Sequence, residues 1–132
     1  MGNNALQKLI ELNEGARNCF LEQIEALEEF KNSKSIVNKI EAAIKFKQQE
    51  TLGVYKFREF KEFVEENIKE IVKRAGARYL KRLTEEFMEL QKRIDTLKEN
   101  IKSNKKSVFV SKLNNVKEKQ EQIQTIHPNS LF

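Results

Sequence analysis

The sequence predicts an all-α fold, a four- to five-helix bundle that includes a long coiled-coil-like helical hairpin. Three observations carry this expectation. Glycine and proline are scarce, 4 and 1 among 132 residues, too few to punctuate a chain of strands and turns. Apolar residues recur at three- and four-residue spacings along most of the chain. From Leu80 onward a strict seven-residue repeat sets in, with Leu80, Phe87, Ile94 and Ile101 at position a and Leu83, Leu90 and Leu97 at position d. At 1.5 Å per residue that seam is about 33 Å long.

The first helix is expected over residues 5–31. Asn3 and Asn4 offer a cap, and Leu6, Leu9, Ile10, Ala16, Phe20, Ile24, Leu27 and Phe30 share one face. Gly15 lies inside it at a cost of about 1 kcal/mol relative to alanine, which suggests close packing or a kink. Asn32 to Ser35 reads as a break. Ile36, Val37, Ile40, Ala43 and Ile44 then form the apolar stripe of a second helix over 35–50, ending near Gly53.

A third helix over 54–75 carries Phe57, Phe60, Val64, Ile68, Ile71 and Ala75 in phase, with Tyr55 and Phe63 at its flanks. The alternation of these aromatics with Lys56, Arg58 and Lys61 resembles a base-stacking strip, but the helical spacing assigns Phe57 and Phe60 to a core. The phase slips at Gly76, where a kink or short break is expected. The heptad helix follows over 77–102. Polar residues at 102–106 suggest a turn into a return helix over 107–126 that packs antiparallel on its predecessor, followed by a tail over 127–132. The whole is expected to be one helical domain over 1–132, divided into N-terminal helices (1–53), a long kinked helix (54–102) and the return helix (103–126).

Composition and motifs argue against catalysis. His127 is the single histidine, so neither a Glu-x-x-His metal pair nor a Cys-His nucleophile can be assembled, and no glycine-rich phosphate loop occurs. The adjacent carboxylates Glu65/Glu66 and Glu85/Glu86 read as solvated helix faces, with Glu70 and Arg74 spaced as an i,i+4 ion pair. Cys19 reads as a small packed hydrophobe. No catalytic, metal or cofactor site, no cofactor and no small-molecule substrate are therefore expected. No apolar run is long enough to span a bilayer, and the first thirty residues lack a basic segment followed by an apolar one. The expectation is a cytoplasmic protein with no membrane partner.

Two surfaces are left for a partner. The heptad seam closes either within the chain or against another copy. A parallel pairing would set Arg93 against Lys98, whereas an antiparallel one sets Glu86 against Arg93, so antiparallel packing is favoured. Leu80, Leu83, Phe87, Leu90, Ile94, Leu97 and Ile101 are thus candidate protein-interface residues, for a partner protein or a homo-oligomer, with a dimer expected.

The second surface is basic. The formal charge of +5 is uneven: residues 1–31 hold six Glu against three Lys or Arg, a net of −3, and the remainder carries +8. That asymmetry implies internal complementarity or a basic face free for an anion. Lys73, Arg74, Arg78, Lys81 and Arg82 cluster beside Tyr79, and Lys105 and Lys106 lie in a second cluster with Lys102 and Lys112. Phosphate neutralisation by the cations and base stacking on the tyrosine make nucleic acid the alternative partner. A non-enzymatic interaction or assembly module is the leading reading.

Overall fold

A computed structural model of the chain describes the backbone of residues 2–119 and the side chains of residues 4–104. Within that span there are four helices: α1 (Gly2–Asn32), α2 (Ile36–Glu66), α3 (Ile68–Ala75) and α4 (Ala77–Lys119). The all-α bundle expected from the sequence is present, with four helices whose boundaries differ from those the periodicity implied.

The turn between α1 and α2 is built by serines. The Ser35 hydroxyl accepts from the Asn38 N–H at 3.4 Å and so caps α2, while the Ser35 N–H donates to Ser33 Oγ at 3.3 Å. This short connection folds α2 back on α1 as an antiparallel hairpin, where small residues (Ala26, Ala42, Ala43, Cys19 and Gly53) are buried.

Gly53 was expected to end a helix, yet it lies inside α2. A Cβ there would stand 3.1 Å from Gln23 Nε2 and 3.4 Å from the Cys19 Cβ, so the missing side chain is what lets the two helices approach. One glycine costs a helix about 1 kcal/mol, an amount that close packing offsets. Gly15 is likewise helical, with the Lys56 stem 3.5 Å from where its Cβ would be.

The expected helix over 54–75 is divided at Asn67, whose backbone (φ −119°, ψ 20°) leaves helical geometry while its side-chain amide donates to the Phe63 carbonyl at 2.9 Å. Gly76 is a true break: its φ of 89° is a conformation that L side chains rarely adopt.

Residues 102–106 do not turn. The stretch interrupts the apolar pattern but contains neither glycine nor proline, so backbone hydrogen bonding continues and α4 runs on to Lys119. No return helix begins at 107. The rest of that expected helix and the tail lie outside the described residues.

Two apolar clusters fill the bundle. Near the α1–α2 turn, Ile24, Leu27 and Phe30 meet Ala42, Ala43, Phe46, Leu90, Ile94 and Ile101. At the other end Leu9 and Ala16 meet Phe60, Ile71, Leu83 and Phe87. This order makes α4 run in the same direction as α1 and opposite to α2, with α3 closing the far end. Charge follows the same plan where the acidic α1 holds Lys45 of α2 between Glu22, Glu25 and Glu29 at 3.4–3.7 Å, while Arg17 of α1 pairs in the opposite sense with Glu86 of α4 at 3.9 Å. The charge asymmetry of the sequence is therefore at least partly internal complementarity.

Candidate protein-docking surface

The heptad residues of α4 are consumed by the chain's own core. Leu83, Phe87, Leu90, Ile94 and Ile101 are buried, and Leu80 and Leu97 are half-buried against the same clusters. The seam closes inside one chain, which leaves these seven candidates covered by α1 and α2 and unavailable as a free interface in this state.

α2 reverses the sequence reading. Its inner face consists of Ala42, Ala43, Phe46, Gly53 and Phe60. Of the apolar stripe expected to face inward, Ala43 alone is buried; Ile36, Val37, Ile40 and Ile44 point outward and are 75%, 63%, 42% and 53% exposed. The physical reason is width. α1 presents bulky Leu27 and Phe30 together with Ala26, and alanines opposite them permit an approach that a row of isoleucines would hold apart. α2 thus carries two apolar faces, and the larger side chains are left in water.

Further along α2 the outer face borders a groove. α2 and α4 both pack on α1, but among the described residues their Cα atoms do not come within 8 Å of each other. They meet through side chains. Phe57 and Phe60 stack against Phe87 with ring centroids 5.1 and 5.3 Å apart, and Phe20 of α1 joins at 5.5 Å. Phe20, Phe57, Phe87 and Gly53 floor an open groove of about 940 Å³, with Tyr55 and Arg58 on one wall and Met88 and Gln91 on the other. Arg58 lies 6.0 Å over the Tyr55 ring, and Met88 is largely exposed.

At one end the groove is tied by Lys98, whose ammonium donates to Glu50 at 3.0 Å. Burial works to raise the Glu50 pKa, but the hydrogen bond and charge of Lys98, aided by Lys47, hold it below the ordinary value.

No protein-family model, curated protein or solved structure matches this chain.

The basic candidates do not form one stripe. Gly76 separates Lys73 and Arg74 on α3 from Arg78, Lys81 and Arg82 on α4. Arg74 is engaged by Glu70 through the expected i,i+4 pair at 2.6 Å, which also keeps the Glu70 carboxyl below its ordinary pKa. Tyr79 is half-buried against the core cluster that holds Ile71 and Leu83, which limits its use as a stacking surface. Arg78, Lys81 and Arg82 are exposed. The side chains of Lys105 and Lys106 lie outside the described residues.

Among the described residues, no group of three or more His, Cys, Asp or Glu side chains is placed to hold a metal ion, and no helix is long and apolar enough to cross a membrane. Cys19 is buried beside Gly53, and burial raises its thiol pKa. The sequence contained only part of the signal for the outer face of α2: Val37, Ile40 and Ile44 recur at spacings of three and four, but beyond Ile44 the same positions are mostly polar or charged.

Proposed function

We propose that this chain is a non-enzymatic protein-interaction or assembly module, acting in the cytoplasm through a helix face on another protein or on a second copy of itself. The observation that carries the reading is the outward strip Ile36, Val37, Ile40 and Ile44, on a helix whose opposite face is already buried. Large apolar side chains gathered on one surface are the usual mark of a contact site, whereas scattered ones are ordinary. The aromatic-floored groove beside the same helix extends that surface.

Photo-crosslinking in the source cells tests it. A crosslinker at Ile40 is expected to yield a discrete protein adduct, and one at Asn100, on the exposed side of α4, is not. Equal labelling from both positions, or none from Ile40, would count against the proposal.

A further inference from the structure

Resting on that reading, we infer that the occupant of the outer α2 face is an amphipathic helix of a different protein, apolar over its first contact turns and acidic over the rest. The exposed seam has two halves. Val37, Ile40 and Ile44 fill its first three positions. Of the next five, Lys47, Arg58 and Lys61 are cationic, and Thr51 and Val54 lie between them. All eight are exposed, so nothing within the described chain covers this face.

Self-pairing along the full seam fits this surface poorly in either direction. A parallel pair of α2 helices sets Lys47, Arg58 and Lys61 each against its own copy. An antiparallel pair along the full seam lays Val37 and Ile40 on Lys61 and Arg58. Like charges cost energy in the first case, and desolvated cations against apolar side chains do so in the second.

A partner helix with carboxylates at matching three- and four-residue spacings removes both penalties. The local carboxylates leave these cations available. Glu50 lies 3.4 Å from Lys47 but is shared with Lys98, and Lys61 reaches Glu65 at 4.0 Å in an exposed pair of little strength. Beside Arg58 the groove floored by Phe57 and Phe87 accepts a large apolar side chain of the same helix, the mode in which amphipathic helices anchor in grooves.

The test uses the full chain and two labelled helical peptides of about 25 residues. Both carry leucines facing 37–44; one has Glu, the other Lys, facing 47, 58 and 61. In fluorescence anisotropy the Glu peptide is expected to bind at least about tenfold more tightly, with a preference that shrinks as salt rises. Arg58→Glu combined with Lys61→Glu should invert the preference, and Ile40→Glu should remove binding of both peptides while circular dichroism reports an intact fold. Equal binding of both peptides, lost in Ile40→Glu, would overturn the charge-selected occupant and leave the docking face standing. So would a dimer by light scattering that Ile40→Glu dissociates, since the occupant is then a second copy. A monomer that binds neither peptide overturns the inference, and if Ile40 also gives no crosslink in cells the docking reading falls with it.

Discussion

Lys98 of α4 and Glu50 of α2 join at 3.0 Å across two helices whose backbones stay apart, so an ion pair ties one end of the groove that the aromatic rings floor. Because the Glu50 pKa is depressed in the folded chain, the unfolded state binds the proton more readily. Its stabilisation is therefore present above the ordinary value of 4.5 and is lost as pH falls through the lower folded value. Denaturant melts across acidic pH should show stability declining in that window. Glu50→Gln should flatten part of the decline.

Lys45 gives the opposite sign. Burial tends to lower its pKa, but the Glu22 hydrogen bond and the charges of Glu29, Glu25 and Glu22 raise it above 10.5. That contribution is complete below 10.5 and disappears as pH rises through the folded value. At neutral pH Lys45→Gln should cost about 1 kcal/mol or less, and less still in high salt, as measured by urea unfolding.

Phe87 and Met88 are neighbours in sequence with opposite fates. Phe87→Ala removes the ring shared by Phe20, Phe57 and Phe60 and should destabilise the chain by about 3–5 kcal/mol. Met88→Ala, at a largely exposed side chain, should stay within about 0.5 kcal/mol. Thermal unfolding of the two variants separates a seam closed within the chain from one closed between copies, because an intermolecular seam would make the Phe87 effect depend on concentration.

The glycines should also differ. Gly76→Ala places a Cβ at φ 89° with open space around it, so backbone strain alone should cost about 1–2 kcal/mol. At Gly53 the gain in helix propensity of about 1 kcal/mol is set against a Cβ 3.1 Å from the flexible Gln23 amide, and the net change in chemical denaturation should be smaller.

If the chain works through α2, the exposed cations Arg78 and Arg82 are bystanders. Reversing both to Glu should leave peptide affinity within about twofold, since they lie on α4, outside the seam, and exposed charges that make no direct contact are screened by salt. Gel shifts with a single-stranded oligonucleotide provide the contrast: retention that falls steeply with salt and vanishes in the double variant would bring the nucleic-acid reading forward.

The sequence by itself determined the helical class, the first helix nearly to its ends, an interruption at Gly76 and the apolar seam of α4, because a strict apolar period and a glycine out of phase with it are local properties; that Gly76 breaks the helix and that the seam is buried within the chain came from the structure. It also carried the Glu70–Arg74 pair and the placement of Phe57 and Phe60 in the core. Only the tertiary structure decided which face of α2 turns inward. Periodicity marks an apolar stripe but not the partner's shape, and here the close approach of α1 selected the alanine and glycine face, leaving the isoleucines outside. The same limit explains Gly53 and residues 102–106. A glycine can stand where two helices touch as well as where one ends, and a polar stretch interrupts a core pattern without interrupting the hydrogen bonds that continue a helix.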